Sequence, residues 1–547
     1  MALADELKSI IRGEVDDAPE TLKAYSRDQS LFSVMPEVVV HPLDTKDVEA
    51  VVAFASKKKA EGKHVSVTAR SAGTDMSGGP LIDSIILDMR HFNRLLELGD
   101  AYAVVEPGMY FRDFDKETKK KNLELPSYTA SREICTVGGM VANDSGGEKN
   151  LKYGKTARYV QELEVILADG KAHILRKFEG QELAAKLAEQ GFEGDIYRKM
   201  SALIKNNRAV IKNAKPVVSK NSSGYALWDI GDGVHSLNLA RLVAGSQGTL
   251  GIITKIRFGL VRPKPYGAML VIFLKDIADL GPMVPEVLKD EPDSFESYDD
   301  KTFVFAVRYF PELAVQMKAG IISLGFSFVP EMLMFLSGGV PKLVLLVEFR
   351  SDSQAEALAR AEALRKRLDP LSQTESMRIA KDDRAAKKYW AVRREAFALL
   401  RKKVRGKRTA PFIDDFVVPP ITLPQFLPKL TEILSKYDLT YAVTGHVGDG
   451  NFHIFPLLDP NDPKTPGLID ELSHKVYDLV LSYHGSISGE HNDGFVRTPY
   501  VEKMFGPKMQ ELFDEVNRIF DPLDIFNPGK KVRTTFKDAL KHLDLSK

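Results

Sequence analysis

The chain has 547 residues and a single cysteine, Cys135. One thiol cannot close an internal disulfide, and it cannot build an iron–sulfur cluster or a cysteine-rich zinc site. Any metal must therefore use His, Asp or Glu. A charge excess is lacking too: 76 basic against 75 acidic residues leave a net +1. That argues against nucleic-acid or membrane-surface binding driven by net charge. No apolar run is long enough to span a bilayer. The most apolar stretch, 321–349, is interrupted by Pro330, Glu331, Gly338, Gly339, Pro341 and Lys342, so it reads as a buried helix, a turn and a strand. The first twenty residues carry charge too early for a secretory signal. A cytoplasmic location is expected, with peripheral attachment to the inner membrane as the alternative.

What is present reads as α+β. A short apolar strand at 37–40 is followed by Asp44, which caps a helix with Val48, Val51, Val52 and Ala55 on one face. A strand at 65–68 completes a βαβ unit. Turns at Gly99-Asp100 and Asp169-Gly170 predict two hairpins, over 95–105 and 162–175. A Pro-rich break at 261–266 marks a domain boundary. Beyond it, helices at 355–368, 385–400, 423–437 and 468–483 alternate with strands at 343–349, 412–418, 440–446 and 452–457. That pattern predicts an antiparallel sheet covered by helices.

Four glycine-rich loops fall in the first half: Arg70-Ser-Ala-Gly-Thr-Asp-Met-Ser-Gly-Gly79, Thr136-Val-Gly-Gly139, Asn143-Asp-Ser-Gly-Gly147 and Gly245-Ser-Gln-Gly-Thr-Leu-Gly251. Glycines let backbone N–H groups approach an anion, and Ser and Thr add donors, which is what a pyrophosphate needs. None fits G-x-G-x-x-G, so a Rossmann site has no support. Together the loops suggest a nucleotide-type cofactor. In the second half, Asp449-Gly450 predicts a hairpin turn flanked by His446 and His453. A later Gly-bounded loop carries Glu490 and His491. Two His and one Glu suit a divalent metal with open positions, and His491 would be a base beside it.

These segments resemble FAD-linked oxidases of the vanillyl-alcohol-oxidase type, with a PCMH-type FAD domain. Within that superfamily the resemblance is to the D-lactate dehydrogenase, glycolate oxidase FAD-subunit and D-2-hydroxyglutarate dehydrogenase group. It runs from Tyr25 and the strand at 36–40 to Asp521-Pro-Leu-Asp-Ile-Phe-Asn-Pro-Gly-Lys530. The resemblance implies a two-part FAD-binding domain at 1–262, a cap domain at 263–524, and a segment at 525–547 that returns to the FAD domain. It implies a cofactor site made of Arg70, Ser71, Ala72, Gly73, Thr74, Asp75, Ser77, Thr136, Gly138, Gly139, Asn143, Ser145, Gly146, Gly248, Ile253 and Asn527. Several relatives tether the flavin to a His in the first loop. Here that loop reads Ala72-Gly-Thr-Asp75, so non-covalent FAD is expected. His446, His453 and Glu490 correspond to metal ligands, His491 to the catalytic base, and Arg393 to the arginine that grips the substrate carboxylate. Zinc leads by the Irving–Williams order at equal availability, and the His₂Glu set suits iron or manganese as well.

The implied reaction oxidises a D-2-hydroxy acid to the 2-oxo acid. The metal would polarise the hydroxyl, His491 would take its proton, and the hydride would pass to flavin N5. Departures from the group's pattern are Gln247 for a common Glu, and Asn492-Asp493 after Glu490-His491. Phe397, Ile413 and Phe455 stand where hydroxyglutarate-oxidising relatives place polar groups. A second carboxylate would be left unpaired there, so a D-lactate-like acid with an apolar tail is expected. Electrons would leave to a separate acceptor: an electron-transfer flavoprotein, a quinone or a cytochrome. A homodimer is a further expectation. The basic run 401–408 reads as a solvated helix end, or as a docking patch for an acidic redox partner. Competing functions are a non-redox flavin transferase of the alkyl-dihydroxyacetonephosphate synthase type, and the FAD subunit of a glycolate oxidase-like complex.

Overall fold

A computed structural model describes residues 2–308, 339–371, 376–403 and 406–544, without the side chains of 305, 307 and 395–403. The helix expected inside 321–349 lies outside the described residues, and its strand is present as Leu343–Ser351.

Three sheets build the fold. The first has four strands, in the order Glu14–Asp16, Val38–His41, Ile85–Asp88, Val67–Arg70. Helix Thr45–Ala60 connects the second and fourth of these, and Asp44 caps it by accepting from the N–H groups of Lys46 and Asp47. The expected βαβ unit is thereby modified. Strand Ile85–Asp88, buried at every position, inserts between the two strands and runs parallel to both. The most completely buried strand takes the centre of the three parallel strands, and Glu14–Asp16 adds antiparallel at the edge.

The second sheet has six antiparallel strands, ordered Leu95–Leu98, Tyr102–Val105, Ile252–Gly259, Val160–Ile166, Ala172–Glu179, Ser236–Asn238. Both expected hairpins are in it. Its core includes Ala103, Leu163 and Phe258, and also Val501, Met509, Leu512, Phe513, Val516 and Phe520. The chain thus rejoins the first-half core at Val501, ahead of position 525. At the end of that return Phe526 bridges Val67, and the Asn527 N–H donates to the Val67 carbonyl at 3.0 Å.

The third sheet has eight strands. Its path is Met377–Ala380, Tyr266–Leu274, Leu343–Ser351, Ser294–Asp299, Thr440–His446, Asn451–Leu458, Arg408–Thr409, with Phe416–Val417 also on Asn451–Leu458. All its pairings are antiparallel. Alternation along one strand shows why its apolar run is continuous. Ala268, Leu270, Ile272 and Leu274 face a core shared with helices Gln354–Leu368, Leu423–Ser435 and Thr465–Ser482. Met269, Val271 and Phe273 face Ala386, Tyr389, Trp390 and Val392 of helix Asp383–Lys403. A sheet covered on both faces needs apolar residues of both parities. The expected α+β architecture, an antiparallel sheet covered by helices beside a two-sheet half, is the observed one.

One expected strand is mostly absent. Of 412–418 only Phe416–Val417 pairs. Asp414 and Asp415 interrupt it, and Asp415 takes a left-handed φ of 68°. Both carboxylates point into the site described next.

Candidate active site

A cavity of about 910 Å³ lies where the first-half loops meet the eight-stranded sheet. Its volume is that of a cofactor site. Fourteen of the sixteen residues expected at the cofactor line it: Arg70 through Asp75, Thr136, Gly138, Gly139, Asn143, Ser145, Gly146, Gly248 and Ile253. Ser77 and Asn527 do not. Both are fully buried behind the wall and act as braces. Ser77 donates to Asp75 Oδ2 at 2.8 Å, and Asn527 Nδ2 donates to the carbonyls of Gly79 and Gln247. Gln247, the departure from the common Glu, holds three of these parts together. Its amide donates to Ser77 and Asn143, and its carbonyl oxygen accepts from the Gly494 N–H.

The first loop fits a diphosphate. Asp75 faces inward and organises it, accepting from Ser77, Gly79 and Asn143. Among the described residues, the backbone N–H groups of 71–76 donate to no protein acceptor. A run of free amides on a cavity wall is a built anion nest. Cys135 also lines the cavity, and burial pushes its thiol pKa up.

The other end of the cavity is polar. Strands Thr440–His446 and Asn451–Leu458 pair with Thr444 opposite His453, so the hairpin sets the two His rings 5.3 Å apart. Ligand atoms of His446, His453 and Glu490 all lie within 4.8 Å of one another, and all three residues are buried. His446 Nδ1 donates to Glu296 Oε1 at 2.7 Å, and His453 Nδ1 donates to Asp414 Oδ1 at 3.1 Å. A carboxylate can only accept, so each Nδ1 carries a proton, and His446 turns its Nε2 toward Glu490 Oε1 at 3.3 Å, the third member of the set. Metal-binding histidines are oriented this way. The donor set therefore fits a divalent cation. His491 stacks on His453 at 5.0 Å and donates from Nδ1 to Asp414 Oδ2 at 2.6 Å. Burial lowers its pKa, but the carboxylates of Asp414 and Asp415 outweigh this and push it up to about 9.

Five groups around this set were not anticipated from sequence. Lys220, fully buried, pairs with Glu490 Oε1 and lies 3.3 Å from Asp449 Oδ2. Asp415 accepts from the backbone N–H groups of Glu490 and His491. Asp414 is shared by two imidazoles. Arg497 donates to the carbonyls of Ile487, Asn492 and Asp414, fixing the loop from behind. Glu296 joins His446 to Arg393, whose Nε donates to Glu296 Oε2 at 2.7 Å. Arg393 lines the same cavity. Gly146 ties the two ends together, because a Cβ there would lie 2.9 Å from Asn150 Oδ1 and 3.2 Å from Glu490 Oε1.

Of the three apolar residues proposed to exclude a second carboxylate, Phe455 lines the cavity and stacks over His453. Ile413 packs in the core instead, and the side chain of Phe397 lies outside the described residues. Most of the basic run 401–408 does too. Its last residue, Arg408, donates to the carbonyls of Asp544 and Ser30, so it braces the C-terminal segment.

Comparison with known proteins gives this architecture its class. Residues 36–176 match the FAD binding domain, and residues 264–531 match the FAD linked oxidases, C-terminal domain. The chain belongs to the FAD-linked oxidases. It is 26% identical to D-2-hydroxyglutarate dehydrogenase of Pseudomonas putida, over 95% of this chain and 50% of that one. It is 28% identical to D-lactate dehydrogenase of Archaeoglobus fulgidus, over 97% of this chain and 100% of that one. The chain spans about half the length of the D-2-hydroxyglutarate dehydrogenases it matches. The solved alkyldihydroxyacetonephosphate synthase shares the fold, with a TM-score of 0.66 at 15% identity over 96% of this chain and 85% of that one. No helix among the described residues is long and apolar enough to cross a membrane.

Proposed function

We propose that the protein is a FAD- and divalent-metal-dependent dehydrogenase that oxidises a D-2-hydroxy monocarboxylate to its 2-oxo acid. One observation carries the reading: His446, His453, Glu490, His491 and Arg393 converge on the same cavity as the diphosphate-type loop. FAD, held non-covalently, supplies the hydride acceptor, and a cation on His446, His453 and Glu490, with zinc, iron and manganese all suited, supplies a Lewis acid. Arg393 gives its Nε to Glu296, which leaves its terminal nitrogens for the substrate carboxylate. His491 gives Nδ1 to Asp414, which leaves Nε2 to receive the hydroxyl proton. The electrons pass on to a separate acceptor of the electron-transfer flavoprotein, quinone or cytochrome class.

The substrate's tail is read from two side chains. Arg394, also on the cavity wall, is a bidentate partner of the buried Glu148, so its charge is already matched. Phe455 presents a ring. A distal carboxylate would meet no free cation in either, which favours D-lactate or a longer aliphatic or aromatic homologue over D-2-hydroxyglutarate.

The test is anaerobic bleaching of the flavin absorption by a panel of D-2-hydroxy acids. The apolar acids should bleach it fastest, and a higher kcat/KM for D-2-hydroxyglutarate would overturn the substrate reading. Replacing the ring by an amide, Phe455→Asn, should raise the kcat/KM ratio of D-2-hydroxyglutarate to D-lactate by about 10-fold, since one satisfied polar group is worth about 1–3 kcal/mol. An unchanged ratio would remove Phe455 from the specificity wall.

A further inference from the structure

Glu296 sits on strand Ser294–Asp299, in the middle of the eight-stranded sheet, and its side chain is almost fully buried. It belongs neither to the His–Glu set nor to the groups that would touch substrate. Yet its two oxygens are divided between them. Oε1 accepts from His446 Nδ1 at 2.7 Å, and Oε2 accepts from Arg393 Nε at 2.7 Å. His446 arrives from strand Thr440–His446, and Arg393 from helix Asp383–Lys403, which packs on the sheet face that Glu296 shares with Tyr298.

We propose that Glu296 is a positioning residue that couples the metal position to the carboxylate-binding position, so that occupancy of either tightens the other. The proposal rests on the function argued above. Its physical basis is the donor count. Both partners are N–H donors, and the group between them must offer two acceptors at once. A carboxylate does so. A carboxamide of the same shape offers one acceptor and turns an NH₂ donor toward the other partner. Arg393 held by Nε presents its terminal nitrogens in one orientation, and His446 held by Nδ1 presents Nε2 in one orientation. Because one buried carboxylate fixes both, a shift of one ring or fork is felt by the other. Coupling of this kind is reciprocal: whatever factor the cation adds to carboxylate affinity, the carboxylate adds to cation affinity.

The experiment uses the FAD-loaded full chain stripped of metal. Zinc affinity is measured by competition with a chromophoric chelator, with and without pyruvate. Pyruvate affinity is measured from the perturbation of the flavin spectrum, with and without zinc. In the wild-type protein each ligand should tighten the other by the same factor. In Glu296→Gln, zinc affinity should fall about 10–100-fold, the range for loss of a partner behind a ligand His. Pyruvate affinity should fall in the zinc-free protein as well, which a group acting only on the metal would not cause. Glu296→Asp keeps the charge but draws it back by one methylene, so it reaches one partner and should weaken one of the two affinities while leaving FAD bound. Zinc and pyruvate affinities both within twofold of wild type in these variants would overturn the coupling and leave the proposed function standing. A wild-type protein that binds none of zinc, iron(II) and manganese(II) would overturn both.

Discussion

His491→Ala should slow anaerobic reduction of the flavin by a D-2-hydroxy acid by about 10²–10⁴-fold, the usual contribution of a positioned general base, with FAD still bound. The ring is held from two sides. Its Nδ1 donates to Asp414 Oδ2 at 2.6 Å, and its backbone N–H donates to Asp415 Oδ2 at 2.7 Å. Its side chain is 22% exposed, toward the cavity, whereas both aspartates are fully buried. One nitrogen is therefore fixed and the other is left for substrate. Against burial, the two carboxylates stabilise the cation that forms and push the pKa up to about 9, so the neutral, proton-accepting ring predominates only above that pH and the rate of flavin reduction should rise as pH approaches it. Alanine removes the acceptor and leaves Asp414 still bonded to His453. The glycine-rich loops 70–79 and 136–147, proposed to hold FAD, take no hydrogen bond from the ring among the described residues. The loss should therefore fall on kcat and kcat/KM together, the signature of an interaction made in the transition state. A variant that raises KM alone would make His491 a binding group, and unchanged bleaching would remove it from the mechanism.

Which parts of this site could be read from sequence follows from chain distance. His446 and His453 flank one turn, and Glu490 and His491 are neighbours between glycines, so local pattern brings them to notice. The glycine-rich loops proposed to hold the cofactor stand out for the same reason. Lys220 and Glu490 are 270 positions apart, and Glu296 and His446 are 150 apart. A lone lysine in a Ser- and Asn-rich loop, or a glutamate in an unrecognised strand, looks like surface until the sheets are assembled. Asp414 and Asp415 did leave a trace. Two adjacent acids inside the apolar run 412–418 contradict a plain core strand, because buried carboxylates need partners. Read that way they point to a site. The sheet order also escaped local reading: nothing near 37–68 shows that Ile85–Asp88 will insert between the two strands of the βαβ unit.

Lys220→Met should destabilise the metal-free protein by about 3–5 kcal/mol at neutral pH, the cost of breaking a buried ion pair by removing one partner. Lys220 has no exposed side chain and lies among Glu490, Asp449 and Asn451. Burial opposes its charge, but Asp449 and Glu490 outweigh burial and raise its pKa. In return, although burial acts against it, the Glu490 carboxyl is held well below its usual range by Lys220 and His446. A carboxyl whose folded pKa is depressed adds stability above its unfolded value of about 4.5, and that stability fades as pH falls through the folded value. The variant should therefore lose most at neutral pH and approach wild type in acid. Zinc adds a second axis. A cation on Glu490 supplies positive charge where the ammonium was, and in the variant it no longer shares that oxygen with Lys220. The stability gap between wild type and variant should narrow in excess zinc, by up to about 2.7 kcal/mol at a hundred times the dissociation constant if wild type gains little. Chemical unfolding of both proteins, with and without zinc, gives the four midpoints needed. A gap that stays the same in zinc would show that cation and ammonium do not act on the same carboxylate. No gap at all would show that Glu490 and Asp449 do not depend on Lys220 for their charge.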